Sequence, residues 1–358
     1  MSHATEAPTA KADDPRNAVA IYGSPVAQSI WADLMMHILP RIGLPHHAAQ
    51  AVEVPTLEAE EENGWEKAER LPTYLGACIT MPLKLQALRK IDSLDPAGEA
   101  CGCINATYLR PSSFAPASTS KTPSLVAASL TQIGTNTDAP ALTNVLLSML
   151  LDRPSPFSAA TPTTFAPGTA AAFAIGGGGA VRAAIHSFSS DFRCEPIFLL
   201  NRDEEEMHAV VEHFRARGVG VIPLSTVEEA EEQVKRLEDK RGRVVMGVGA
   251  IPCYEPQTDE EKRVYEVANW LFGRGYEKPV EQEKAEGYLA LPEKRLFIDM
   301  AYKPRWTILR KMAEDNGWQT RCGTEVALEN TYEQVKLWTG IDVPQDVRES
   351  AGKLLDDE

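Results

Sequence analysis

Ala174-Ile175-Gly176-Gly177-Gly178-Gly179-Ala180-Val181-Arg182-Ala183-Ala184-Ile185 decides how this chain is read. An apolar run enters a turn of consecutive glycines and leaves as an alanine-rich, helix-favouring segment. A strand that turns so abruptly into a helix presents free backbone N–H groups at a positive helix end, which suits a pyrophosphate. Gly176, Gly177, Gly178 and Gly179 let the backbone approach the phosphates, and the small Ala180 lets the helix sit near the strand. A glycine-rich turn alone is equally compatible with an ordinary tight turn. The next apolar run, Ile197–Leu200, tips the balance. It ends in Asn201-Arg202-Asp203, where the second strand of such a unit meets the adenosine ribose.

Outward from this stretch, strands and helices alternate. Strands are expected at 173–175, 197–200, 219–223, 243–248 and 296–300, with helices at 204–217 and 227–236 between them. That alternation predicts a parallel sheet with helices on both faces, an α/β class. Residues 259–287 read as a charged, mostly helical excursion, and 306–318 and 324–339 as two closing helices. Upstream, strands are expected at 18–22, 49–54, 74–80 and 101–109. Helices are expected at 30–39, broken by Pro40, at 56–70, at 86–90 after Pro82, and at 143–151. Residues 111–131 and 154–168 are rich in Pro, Ser, Thr and Ala, the first a flexible insertion and the second a domain boundary. The organisation expected is a disordered tail over 1–17, an α/β domain over 18–150, a doubly wound domain over 168–320, and C-terminal helices over 321–358.

A chain of 358 residues suffices for two ordinary domains, and its net charge of −15 argues against nucleic acid and for a small-molecule partner. No apolar run approaches the roughly 18–20 residues that a membrane span needs. The N-terminal segment lacks the character of a secretory or transit signal. Six scattered cysteines form no CxxC pair, so no metal site is expected and a reducing cytosol suits them.

Several segments occur in an order that resembles the shikimate dehydrogenase family. They are Gly23-Ser24-Pro25-Val26-Ala27-Gln28-Ser29, Ile79-Thr80-Met81-Pro82-Leu83-Lys84, Gly102-Cys103-Ile104-Asn105 and Gly134-Thr135-Asn136-Thr137-Asp138. The glycine turn with Arg182 and then Asn201-Arg202 follow, with Asp299-Met300-Ala301-Tyr302-Lys303-Pro304 and Leu337-Trp338-Thr339-Gly340 completing the set. The resemblance covers roughly residues 18–341. Around Gly176–Arg182, Asn201-Arg202-Asp203 and Gly323-Thr324-Glu325 it is closest to the fungal quinate dehydrogenase branch.

The resemblance implies two domains, an N-terminal substrate domain and a Rossmann-type cofactor domain, with the last helices packing back toward the cleft. It places Lys84 and Asp138 as the pair that handles the proton of an alcohol undergoing oxidation. Losing hydride from a secondary alcohol carbon requires the hydroxyl proton to leave too. On the residues alone, Lys84 is a solvated lysine and Asp138 a helix cap. The resemblance also assigns Ser29, Thr80, Asn105, Tyr302 and Asn330 to the substrate, and Gly323 to the nicotinamide. Individually, these are ordinary turn, cap or packing residues.

Three positions depart from the family pattern: Trp31 replaces a serine, Cys78 an asparagine and Asn330 a glutamine. They leave open whether the ligand is shikimate, quinate or another cyclic hydroxy acid. For the cofactor, the acidic run Asp203–Glu206 repels a 2′-phosphate and suits a ribose diol, which favours NAD over NADP, while Arg202 can stack on adenine. Asp203 is alternatively just the cap of the next helix. The activity implied is oxidation of a ring hydroxyl by an NAD(P)-dependent enzyme, a cytoplasmic monomer or homodimer. The competing reading is a catalytically silent ligand sensor.

Overall fold

The computed structural model describes residues 17–27, 29–45, 48–56, 74–111, 130–276 and 286–355. Residues 1–16 of the tail expected over 1–17, Gln28, nearly all of the helix expected at 56–70, residues 112–129 of the insertion expected over 111–131 and residues 277–285 of the 259–287 excursion lie outside them, whereas Asn17 opens a strand. The chain forms two compact units, one of residues 1–137 with 331–357 and one of residues 138–330. The Pro/Ser/Thr/Ala stretch at 154–168 lies inside the second unit.

In the first unit, strand β1 (Asn17–Gly23) leads to helix α1 (Trp31–Arg41) and strand β2 (Ala48–Glu53). Pro40 was expected to break this helix, yet it lies inside it. It sits in the last turn, where one missing amide is tolerable, and Arg41 Nη1 donates to the His37 carbonyl at 2.7 Å. Strand β3 (Gly76–Ile79) is followed by the short helix α2 (Leu83–Gln86), which tightens into a 3₁₀ turn over Ala87–Arg89 rather than continuing to Lys90.

The strand expected at 101–109 is half helix. After β4 (Ser93–Leu94), α3 spans Pro96–Cys101, capped by Asp95, whose carboxylate accepts from the Gly98 amide at 2.9 Å. Asp-Pro is the helix-start signal that the apolar character of the following residues masked. β5 (Ala106–Pro111) and β6 (Leu130–Thr135) complete a mixed sheet of order β2-β1-β3-β5-β6-β4, in which β5 runs antiparallel to both neighbours. β6 had no counterpart in the sequence reading. Ala20, Tyr22, Ile79, Leu83 and Ile104 form part of this unit's core.

The second unit opens with α4 (Asp138–Leu151), five residues earlier than expected; Pro140 falls in its first turn, where proline is tolerated. There follow β7 (Ala170–Ile175), α5 (Gly179–His186), β8 (Ile197–Leu200), α6 (Glu204–Arg215), β9 (Val221–Pro223), α7 (Val227–Asp239) and β10 (Arg243–Gly249). α8 (Asp259–Gly273), β11 (Leu296–Asp299), α9 (Ile308–Asp315), β12 (Gln319–Cys322) and α10 (Gly323–Thr339) come next. Residues 331–339 of α10, and α11 (Gln345–Gly352), belong to the first unit.

All strands of the second sheet are parallel, in order β12-β11-β10-β7-β8-β9. Numbered within the unit this is 3-2-1-4-5-6 read from the opposite edge, the doubly wound Rossmann order. Ala171, Phe173 and Ile175 face a core supplied by α7, α8 and α9; the Phe173 ring lies 5.6 Å from Phe272, 6.1 Å from Phe297 and 5.7 Å from Trp318. The alternate alanines of β7 leave room for α5, which packs on β7 and β10. The order in which strands are added reverses between β7 and β10, so the glycine turn opens at the crevice where such sheets receive ligands.

Candidate functional site

In the first unit, two turns are laced together. The Thr80 amide donates to the Tyr22 carbonyl at 2.9 Å and the Ser24 amide to the Met81 carbonyl at 2.8 Å. Glu53 braces the first of them by accepting from the Val26 amide at 3.1 Å. The Ser24 hydroxyl, then that amide, holds the Glu53 carboxyl below the usual carboxylate range. Lys84, half-buried in α2, receives the Ile104 amide on its carbonyl at 2.9 Å.

Asn105 is the hub of this region and only 1% exposed. Its amide donates to Thr135 at 3.0 Å and its carbonyl accepts from Ile79 at 2.7 Å. Its side-chain oxygen accepts from the Thr137 amide at 2.7 Å and the Thr137 hydroxyl at 3.1 Å. Lys84 and Thr137, the residue before Asp138, are therefore both anchored to the Ile104-Asn105 pair. Asp138 itself is buried and begins α4. Ser29, half-buried, accepts from the Trp31 amide at 3.3 Å as the chain enters α1.

Two of the departures noted in the sequence meet in one buried network. Trp31 donates through Nε1 to Gln334 Oε1 at 2.6 Å, across 303 positions of sequence. Gln334 Nε2 reaches the Thr137 hydroxyl at 3.3 Å and the Cys78 sulfur at 3.4 Å. Trp338 meets Trp31 edge-on at 6.2 Å and donates to the Thr107 carbonyl at 2.9 Å. Trp31 is 2% exposed and thus a packed wall. Gln334 was missed from the sequence, where it is one polar residue on a long helix; only its spacing of one turn from Asn330 and from Trp338 marks it. Asn330 is buried on the part of α10 that belongs to the second unit.

In the second unit, Gly176 adopts φ +123°, a conformation that L side chains rarely reach, and its amide donates to the Leu200 carbonyl at 2.8 Å. Gly178 precedes α5 and is exposed, with open space where a Cβ would stand. Ala180 follows in the first turn of α5. At Gly177 a Cβ would lie 2.5 Å from both Asn201 Nδ2 and Glu206 Oε2. A bare backbone turn, a helix start and open space before it fit the phosphates of a dinucleotide.

Beside the turn, Asn201 Nδ2 donates to the Asp203 carbonyl and to Glu206 Oε2, each at 3.1 Å. The Asp203 carboxylate caps α6, accepting from the Glu206 amide at 2.9 Å. Arg202 donates to the Glu261 carboxylate in a short ion pair and to the Tyr254 hydroxyl at 2.7 Å. Glu261 also accepts from the Gln257 amide at 2.8 Å and the Thr258 amide at 3.2 Å; these two contacts, then Arg202 and Tyr254, keep its carboxyl below the usual range. Glu206, Tyr254 and Glu261 were not singled out individually from the sequence, and only the acidic run pointed toward the first.

At the end of β11, Asp299 is 1% exposed and accepts from the Thr307 hydroxyl and, at 3.2 Å, from the Ala301 amide. Burial pushes its carboxyl up to about 7. Tyr302, half-buried, follows on the same loop. Gly323, the first residue of α10, packs so closely on this loop that a Cβ would collide with the Met300 carbonyl oxygen.

No family model matches the chain. Among solved structures, a dehydroquinate dehydratase and shikimate dehydrogenase from S. pombe matches 94% of this chain at 23% identity and TM-score 0.64. The chain spans about half of that protein, 52% of its length. A shikimate 5-dehydrogenase from Thermus thermophilus, in complex with NADP(H) and shikimate, matches at 21% identity and TM-score 0.60, covering 94% of this chain and 99% of its own. One from Listeria monocytogenes, in complex with shikimate and NAD, matches at 18% identity and TM-score 0.62, covering 95% and 96%. The likeness is one of fold, and it runs through both units.

Proposed function

We propose that this protein is an NAD(P)-dependent dehydrogenase of the shikimate dehydrogenase family that oxidises a ring hydroxyl of a cyclic hydroxy acid such as quinate or shikimate. The observation that carries this reading is the shared anchoring of Lys84 and of Thr137, next to Asp138, on Ile104-Asn105. It holds Lys84 and the residue that precedes Asp138 to one support. A bound nicotinamide supplies the hydride acceptor. In this reading Lys84 would receive the hydroxyl proton as hydride leaves the same carbon, with Asp138 as the second proton-handling residue. Asn105 fixes this support through its side-chain oxygen on Thr137, and Ser29, Thr80, Asn105, Tyr302 and Asn330 are the candidate substrate contacts.

The finer parts of the proposal are a preference for NAD, membership of the quinate dehydrogenase-like branch, and a cytoplasmic setting. The acidic residues after Arg202 support the first, and the motifs around the glycine turn support the second. The six cysteines are scattered along the chain with no CxxC pair, which accords with a reducing compartment. No helix among the described residues is long and apolar enough to cross a membrane. The test is a matrix of NAD and NADP against quinate, shikimate and their analogues. Reduction of a cofactor with one of these acids supports the reading. Binding of an acid and a cofactor without turnover favours the ligand sensor.

A further inference from the structure

We infer that Glu206, rather than the Asp203 that follows Asn-Arg directly, is the carboxylate that receives the adenosine ribose diol and sets the preference for NAD; this rests on the dinucleotide reading proposed above. The Asp203 side chain is spent on its own helix, accepting from the Glu206 amide at 2.9 Å. Glu206 stands one turn later on α6, and its side chain leans over the glycine turn. A Cβ at Gly177 would lie 2.5 Å from its Oε2 and 2.8 Å from its Cβ. The turn therefore admits Glu206 because residue 177 has no side chain.

Asn201 Nδ2 holds that same Oε2 at 3.1 Å, which directs the carboxylate toward the turn. A carboxylate here accepts hydrogen bonds from two adjacent ribose hydroxyls. A 2′-phosphate in the same place meets a like charge. The nearby cation does not relieve that repulsion, because the Arg202 guanidinium is already matched by Glu261 and bound to Tyr254. Glu206 is solvent-exposed, so replacing it tests recognition rather than folding.

The experiment is calorimetric titration of NAD and of NADP into the full-length wild type, Glu206→Gln and Asp203→Asn, with thermal midpoints recorded without ligand. The wild type is expected to bind NAD more tightly than NADP. Glu206→Gln is expected to weaken NAD about tenfold and narrow the preference, the loss of a charge-assisted hydrogen bond. Asp203→Asn, which keeps a capping side chain, is expected to weaken NAD less than about threefold. A wild type that prefers NADP overturns the inference. Equal effects of the two variants, or a larger one at Asp203, overturn it while leaving the dinucleotide reading intact. A wild type that binds neither dinucleotide overturns both.

Discussion

The two units hold their candidate residues by opposite means. The second presents bare backbone: its glycine turn follows β7 directly, at the reversal of strand order, and Asn201 and Glu206, from one contiguous segment, lie beside it. The first presents side chains held by distant partners. Trp31 is fixed by Gln334 from the far end of the chain, and Asn105 ties together β3, β6 and Thr137. Backbone geometry of the first kind is readable from local sequence. Side-chain geometry of the second kind depends on pairs that only the fold brings together, and there the chain departs from the pattern it resembles.

The largest expected effect tests whether the anchored pair is chemical rather than structural. Lys84→Met and Asp138→Asn are each expected to lower turnover by about 10²–10⁴-fold, with dinucleotide affinity and thermal midpoint little changed. Steady-state rates with calorimetry check this. A matching fall in stability would make the pair ordinary packing.

Next comes the wall of the first unit. Trp31→Ala is expected to cost about 3–5 kcal/mol, because it empties a buried site and leaves Gln334 Oε1 without its donor. Urea unfolding measures it. Trp31→Phe keeps most of the volume and isolates the hydrogen bond, with an expected loss of about 1–3 kcal/mol.

In the second unit, Gly323→Ala is expected to cost about 1–3 kcal/mol, since the added methyl meets backbone rather than a mobile side chain. Its thermal midpoint should fall, and an unchanged midpoint would show that this loop yields.

The remaining effect is one of slope. Asp299 has its carboxyl raised to about 7 from an ordinary value of 3.8, so the folded state holds the proton more tightly than the unfolded chain. Its contribution to stability is complete below the ordinary value and is lost as pH rises through the folded one, at up to about 1.4 kcal/mol for each pH unit. Asp299→Asn removes that titration and is expected to flatten the decline of stability between weakly acidic and neutral pH, measured by urea unfolding at a series of pH values.

Legibility followed the same division. In the second unit each strand expected from sequence appears, with ends shifted by a few residues, because buried parallel strands read as short apolar runs between glycine or polar turns. In the first unit, residues 101–109 read as one strand because Cys101, Cys103, Ile104 and Ala106 are all buried, although they belong to a helix end, a turn and a strand. β6 escaped because its first residues, Leu130 to Gln132, resemble the Ser/Thr-rich stretch before them. Lys84, Asp138 and Asn105 stand out in the sequence only as candidates, through their motifs. Gln334, Glu53 and Glu261 were not, since each acquires its role from a partner elsewhere in the fold.

The most direct measurement follows nicotinamide absorbance when purified full-length protein is mixed with NAD and, in turn, quinate and shikimate. Reduction of NAD with one of them is predicted, and its loss in Lys84→Met, with calorimetry showing the dinucleotide still bound. Binding of both dinucleotide and hydroxy acid to the wild type without any reduction of the cofactor would contradict the account.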